Sequence, residues 1–357
     1  MSAITGNKGE WSEIYAFLRL LAVGKIYAAD EQLNRIESIF FPIIKVIREE
    51  VQGAKYEYYT GATVKVYIGE NPIMELPSSV FAAEASRVYS RIVNQGSRKG
   101  AFAVEETEAF MNGIHLHKLK APSGDKTDIS MQTRDVNTGY EQVVGFSIKS
   151  ELGHSPTLLN AGKTTNFIYR VEGFPKSLIS RINSIDTQTK ILDRIATIKA
   201  NGGRFVFCNL ENEIFAENLV MIDSQMAVVV AEMLVAYYSG SAKYCTELLK
   251  HVTEIDPLHR RPKFYEHKIK DLLCAVALGM KPATPWDGSD EATGGYIVVK
   301  TDGEILAYHL YNRDSFKGYL LNNTRFESAG TTRHEYAKLY EDNGEVYIKL
   351  NLQIRFN

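Results

Sequence analysis

The chain is poor in cysteine, has no low-complexity tract or internal repeat, and shows no overall basic charge. Its three cysteines, Cys208, Cys245 and Cys274, stand far apart. That spacing gives neither a disulfide framework nor a zinc pattern, which suits a reducing cytoplasm. The N-terminal MSAITGNKGEWSE lacks the apolar core of a secretory signal, and cytoplasmic localisation is the expectation. The most hydrophobic stretch, residues 219–238, is broken by Asp223, Gln225 and Glu232, so it reads as a buried core helix rather than a membrane span. No Ser-His-Asp or Cys-His arrangement is recognisable. AGKTT (161–165) suggests a phosphate-binding loop, but Thr157 stands where that motif needs its first glycine, which excludes it. His115 and His117 could ligate a metal from a strand, but no third partner is apparent.

Net charge is −2 and the pI about 6.5, so nothing global points to nucleic acid. Locally the balance differs. Residues 175–205 hold six Lys/Arg against two acids, and residues 243–270 hold seven against four. A DNA-binding surface needs such patches to replace condensed counterions, although solvated helix faces have the same composition.

With 357 residues, 45% of them hydrophobic, the chain can bury a large core. Periodicity predicts helices at about Glu10–Val23, Glu31–Glu49, Ser78–Asn94, Val104–Ile114, Leu178–Ala200, through most of 217–280 ending at Gly279, and near Phe316–Asn322. Strands are predicted over Tyr56–Ile68, FIYRVEGF, Arg204–Cys208, GGYIVVK and ILAYHLY, with a closing hairpin around Glu341–Gly344. In the last strand Ile348, Leu350, Leu352, Ile354 and Phe356 point one way, opposite Tyr347, Lys349, Asn351, Gln353 and Arg355. The expected fold class is α/β in the sense of mixed α+β. It divides into a candidate catalytic core (1–185), a helical region (186–285) and a β-rich C-terminal region (286–357), the candidate for DNA recognition.

Two polar-alternating strands carry the most information: TDISMQTR (127–134) and QVVGFSIK (142–149). Ile129, Met131 and Thr133 share one face of the first, with Asp128, Ser130, Gln132 and Arg134 on the other. In the second, Val144, Phe146 and Ile148 face the core, and Ser147 and Lys149 face away. Asn137-Thr138-Gly139-Tyr140 is hairpin-turn chemistry. A turn centred between Thr138 and Gly139 sets Asp128 opposite Lys149, with Ser147 one step along. Such a pair is also common as a solvated cross-strand ion pair.

An acid on one strand and x-Lys on the next is how many metal-dependent nucleases build their site. Phosphodiester hydrolysis near neutral pH calls for a metal ion that polarises the phosphate and acidifies a water. Mg²⁺ takes one or two carboxylates plus waters and substrate oxygens. Asp128 and the backbone carbonyl of Ile148 are the expected metal ligands, and Lys149 the positioning cation. Ser147 stands where such sites usually have an acid, so another carboxylate is needed. Glu151 keeps the parity of Lys149. Glu13 is the stronger candidate, because it lies beside Phe17 and Leu20 on a partly apolar side of the first helix, where an unpaired carboxylate is costly. Glu10 is weaker, and the spacing Lys8-Gly9…Glu13 favours Glu13.

Longer segments carry a resemblance. GNKGEWSEIYAFLRLLAVGKIYAAD, DKTDISMQTRDVNTGYEQVVGFSIKSELG, PTLLNAGKTTNFIY, WDGSDEATGGYIVVKTDGEILAYHLYNR and YIKLNLQIRF together resemble the HpaII family of type II restriction endonucleases over nearly the whole chain. The resemblance implies a PD-(D/E)XK nuclease-like core, Mg²⁺-dependent double-strand DNA cleavage at the palindrome CCGG and 5′-phosphate ends. Its catalytic residues fall on Asp128, Ser147 and Lys149, with Glu13 as the extra acid. Some other CCGG-cutting enzymes also have a serine before x-Lys and recover the acid downstream. That position is Lys163 here, so their solution does not transfer.

Reading guanine in the major groove calls for Arg or Lys donors. The polar segment TRFESAGTTRHEY (324–336) offers Arg333, assisted by Arg325 or His334. The polar face of the last strand (Lys349, Gln353, Arg355) is a second candidate. Lys163, Thr165 and Asn166 are expected to position phosphates. A symmetric site favours a homodimer on double-stranded DNA. The competing expectations are a non-catalytic DNA- or RNA-binding protein on a degenerate nuclease fold, because Ser147 removes one carboxylate, and a nuclease of the same fold that cuts DNA structures.

Overall fold

The computed structural model describes residues 4–50, 53–96, 100–119, 127–136, 138–309 and 312–357. The chain divides into two compact units: residues 1–156 with 291–316, and residues 157–290 with 317–357.

The first unit opens with β1 (Thr5–Gly6), α1 (Lys8–Val23), β2 (Lys25–Ala29), β3 (Arg35–Glu49), β4 (Lys55–Tyr59), β5 (Thr63–Ile68) and β6 (Asn71–Pro77). It continues with α2 (Ser78–Asn94), β7 (Phe102–Ala103), α3 (Glu105–Gly113), β8 (Ile129–Arg134) and β9 (Glu141–Ser150). The second unit contributes β10 (Thr157–Leu159), β11 (Asn166–Glu172), α4 (Ile179–Asn183), α5 (Lys190–Ala200), β12 (Arg204–Leu210), α6 (Glu213–Ile222), α7 (Met226–Tyr238), α8 (Cys245–Ile255) and α9 (Pro262–Leu278). Then β13 (Gly295–Val299) and β14 (Ile305–His309) belong to the first unit, and α10 (Arg313–Asn322) spans the boundary. The chain finishes in the second unit with β15 (Thr324–Phe326), α11 (Thr331–His334), β16 (Leu339–Asp342), β17 (Glu345–Asn351) and β18 (Ile354–Phe356).

A nine-stranded sheet in the order β2-β14-β13-β9-β8-β3-β4-β5-β6 organises the first unit. β13 runs parallel to β9 and β14 parallel to β2; the other pairs are antiparallel. β3 is long enough to pair with β2 through its first half and with β8 and β4 through its second, so the order from β2 to β3 returns on itself. α1 is apolar nearly all round, and such a helix is buried. Trp11, Ile14, Phe17, Leu18 and Leu21 are all fully enclosed. The helix starts at a capping box in which Asn7 and Glu10 serve each other's backbone N–H, and it stops at Gly24, φ +67°.

The segment 31–49, predicted as a helix, is instead a turn followed by β3. Pro42 would remove a helical hydrogen bond and clash with the preceding turn, and the β-branched residues Ile36, Ile39, Ile43, Ile44, Val46 and Ile47 favour an extended chain. Ser78–Asn94 is helical as predicted, and buries the stripe Phe81, Ala85, Val88 and Ile92.

The second unit holds a four-stranded sheet, β12-β11-β17-β16, and a three-stranded one, β10-β18-β15. The closing YIKLNLQIRF is two strands rather than one. β17 pairs with β11 and β16, β18 pairs with β10 and β15, and the apolar set from Ile348 to Phe356 is buried throughout. Residues 219–238 are split between α6 and α7 at a 108° bend, and among the described residues no single helix is long and apolar enough to cross a membrane. Nor do the two units follow the three-part division at 185 and 285. Long-range strand pairing is the reason: β13 joins β9, and β11 joins β17.

Candidate active site

The β8–β9 hairpin pairs Ile129 with Phe146 and Arg134 with Glu141. This is two residues off the expected register. Carried one step further, it sets Asp128 beside Ser147, not opposite Lys149. The turn is wider than a two-residue loop: it is closed by Asp135 N–H to the Tyr140 carbonyl at 2.9 Å, with Gly139 at φ +71°. Asn137, part of the expected turn, lies outside the described residues. A shift of two preserves which face each side chain occupies, so Asp128, Ser147 and Lys149 still share one face.

Asp128 Oδ2 accepts the Ser147 hydroxyl at 3.0 Å and the Ile148 N–H at 2.6 Å. Lys149 Nζ donates to Ser147 Oγ at 3.0 Å. A line of donors thus runs from ammonium to hydroxyl to carboxylate. Ser147 is buried, whereas Asp128 and Lys149 are partly exposed. Among the described residues Asp128 Oδ1 accepts no hydrogen bond, which leaves one carboxylate oxygen available to a cation. The carbonyl of a strand residue points to the same edge as its N–H. Because the Ile148 N–H points at Asp128, its carbonyl faces that side too.

Neighbouring strands fix this arrangement. β13 sets Tyr296 beside Ser147 and Val298 beside Lys149, and Lys149 Nζ lies 5.5 Å from the centre of the Tyr296 ring, within cation–π range. Gly145 has no room for a side chain, since a Cβ there would come within 2.6 Å of the Thr127 side chain. The Gly294 N–H donates to the Gly145 carbonyl at 2.7 Å, and the Gly145 N–H to Thr293 Oγ1 at 3.1 Å. The strand edge beside Asp128 is therefore closely packed.

The two extra acids are placed less directly. Glu13 is half-buried on α1, whose Ser12 hydroxyl accepts from Ser150 Oγ at 2.8 Å and so ties the helix to the end of β9. Ser150 alternates to the face opposite Lys149. Glu151 is exposed and lies just past the end of β9, although its N–H still bonds to the Val299 carbonyl at 2.9 Å. No group of three or more His, Cys, Asp or Glu converges as a cation cage among the described residues. A cage is not required of a Mg²⁺ site, which draws mainly on one or two carboxylates, waters and substrate. His115 stacks on Tyr56 at 5.3 Å, and His117 Nδ1 sits 3.1 Å from Asn112 Oδ1.

Expected DNA contacts from distant parts of the sequence meet in the second unit. Lys163 pairs with Glu335 at 2.5 Å, and the Asn166 side-chain amide donates to the His334 carbonyl at 2.9 Å. Arg333 is exposed on α11. Burial by its surroundings and the neighbouring Arg333 hold the His334 pKa below its ordinary value. Three expectations need correction. Thr165 and Asn166 are fully buried; the Asn166 side-chain Oδ1 accepts from the Asn351 amide, and its own side-chain amide donates to Glu211 and to the His334 carbonyl. They hold the fold rather than face phosphates. Arg325 is a β15 residue, not a loop residue, whose guanidinium serves the Phe356 carbonyl and Glu327. Arg355 grips the same Glu327 at 3.2 Å, and Lys349 pairs with Glu211. AGKTT forms a loop and a short 3-10 turn into β11, consistent with the exclusion of a phosphate-binding loop.

Sequence reasoning missed Tyr296, the Ser12–Ser150 bond and the buried Arg194. Each has at least one partner more than 100 residues away, which no local pattern reports.

A family model described as HpaII restriction endonuclease matches residues 7–356. The type II restriction enzyme HpaII of Haemophilus parainfluenzae is 37% identical over 357 residues, which cover 99% of this chain and 98% of that relative. No solved structure matches the chain. With the family model spanning nearly its whole length, the chain belongs to the HpaII restriction endonuclease family.

Proposed function

We propose that this restriction endonuclease hydrolyses double-stranded DNA at CCGG with a divalent metal ion, Mg²⁺ by preference, through a PD-(D/E)XK-like core centred on Asp128, Ser147 and Lys149. The observation that carries the reading is the hydrogen-bonded line Lys149–Ser147–Asp128, with one Asp128 oxygen open beside the Ile148 carbonyl edge. Asp128 and the Ile148 carbonyl would hold the metal, with Glu13 or Glu151 as the second acid. Bound there, Mg²⁺ would polarise the scissile phosphate and acidify the attacking water.

The protein's own groups do the rest. The Ile148 N–H and Ser147 hydroxyl fix Asp128 in one orientation, which pre-organises it before DNA arrives. Lys149, held by Ser147 and over the Tyr296 ring, offsets the charge that grows on the phosphate. Ser147 takes the place of the usual acid by linking the other two groups rather than by ligating. Arg333, with His334 and Lys163 nearby, is the proposed DNA-reading group, and the palindrome favours a homodimer that cuts one strand per subunit. Family membership among endonucleases argues against the binding-only reading.

The test is a plasmid digest with and without Mg²⁺, followed by sequencing of the ends. Discrete Mg²⁺-dependent fragments ending within CCGG support the proposal. Cutting at another sequence overturns the assigned specificity, and cutting in the presence of a chelator overturns the metal requirement.

A further inference from the structure

We infer that Arg194 is a positioning residue for sequence discrimination, because it holds from inside the segment that carries Arg333. The inference rests on the proposed DNA-reading role of Arg333. Arg194 lies in α5 and is only 3% exposed. Among the described residues it makes no ion pair. Its two terminal nitrogens donate to three backbone carbonyls instead: Ala337 at 2.8 Å, Asn183 at 3.0 Å and Ile185 at 2.7 Å. A buried cation without a carboxylate is costly. Only the guanidinium fork offers enough fixed donors to reach carbonyls on two separate segments, so lysine is no substitute.

The clamped segment has an unusual backbone. Glu335 and Ala337 adopt φ +53° and +64°, left-handed conformations that side chains other than glycine seldom take. Such conformations persist where the surroundings over-determine them. Here the Ala337 carbonyl is taken by Arg194 and its N–H by the Lys349 carbonyl at 2.8 Å. Asn183, itself bound by Arg194, grips Leu339 in both directions at 2.8 Å. At the other end the Tyr336 hydroxyl donates to the Ala329 carbonyl at 2.7 Å. Between these anchors stand Thr332 and Arg333, exposed. A loop that merely connected β15 to β16 would need none of this. A loop that presents one guanidinium to a base edge needs its backbone fixed, because readout depends on geometry.

The experiment measures kcat/KM on a CCGG duplex and on duplexes altered by one base pair, for wild type, Arg333→Ala, Arg194→Met and Arg194→Lys, with circular dichroism melts of each. Arg194→Met is expected to lower the ratio of cognate to altered-site cleavage by at least about fivefold, within the range set by one base contact. Arg194→Lys should not restore it. A purely structural role for Arg194 would lower the folded fraction and scale every rate equally, leaving that ratio unchanged. If Arg194→Met does not fold, Asn183→Asp carries the test: it keeps the acceptor for the Leu339 N–H and removes the donor to the Leu339 carbonyl. An unchanged ratio in a folded Arg194→Met or Asn183→Asp, with Arg333→Ala impaired, overturns the inference alone. An unchanged ratio in Arg333→Ala overturns the reading beneath it as well.

Discussion

Ser147 donates its hydroxyl to Asp128 Oδ2 at 3.0 Å while accepting Lys149 at the same distance. A residue that cannot ligate as an acid therefore sets the spacing between the two that carry the charge. Ser147→Ala should leave the fold and DNA affinity intact, because the pocket loses only one oxygen. The chemical step should slow about 10- to 100-fold, the scale expected when a catalytic group drifts by an ångström. Single-turnover cleavage beside a gel-shift titration separates the two effects. A rate equal to wild type would remove Ser147 from the site.

Gly145 gives a steric test. An added Cβ would come within 2.6 Å of the Thr127 side chain, the residue before Asp128. Gly145→Ala should therefore displace Thr127, and Asp128 with it, and lower the cleavage rate. Thr127→Gly added to Gly145→Ala should recover part of the loss, and a double-mutant cycle reads that coupling.

Gly295 tests the frame behind the site. At φ +107°, with a Cβ position 2.0 Å from the Tyr308 carbonyl, it tolerates no side chain. Gly295→Ala should cost more than about 2 kcal/mol, from backbone strain and broken β13–β14 pairing. Urea denaturation measures this; a change below about 0.5 kcal/mol would contradict the packing.

His309 gives a pH dependence. It stacks on Phe41 at 4.5 Å, and burial pushes its pKa down to about 4. Between pH 6.5 and 4 the unfolded chain thus binds more protons at this site than the folded one. Stability from this group is complete above about pH 6.5 and is lost as pH falls toward 4, on the order of 3 kcal/mol in total. Urea midpoints of wild type and His309→Phe should diverge in slope across that window. Parallel slopes would show that His309 titrates normally.

Local patterns in the sequence were enough to find α2 and the alternating faces of the closing strands, because Phe81, Ala85, Val88 and Ile92 repeat at helical spacing and Ile348 to Phe356 at strand spacing. The clustering of Asp128, Ser147, Ile148 and Lys149 is legible for the same reason: a hairpin brings near neighbours together, and an error of two residues does not change a face. Residues 31–49 are predicted as helix, and Pro42 with the β-branched residues around it makes the chain extended instead. Tyr296 is invisible in local patterns because it meets Ser147 through parallel pairing across about two fifths of the chain, which no short-range rule reports. Asn166 is expected at phosphates, which burial contradicts. Its burial depends on Asn351, Glu211 and His334, three residues far from it in sequence.

The most direct measurement is the single-turnover cleavage rate of a CCGG duplex at saturating enzyme and Mg²⁺, for wild type and Asp128→Asn, with DNA affinity measured in parallel without metal. The expected result is a fall of at least about a thousandfold in rate, as several kcal/mol of metal-dependent stabilisation imply, with affinity little changed. Cleavage by Asp128→Asn at close to the wild-type rate would contradict the central claim that Asp128 anchors the catalytic metal.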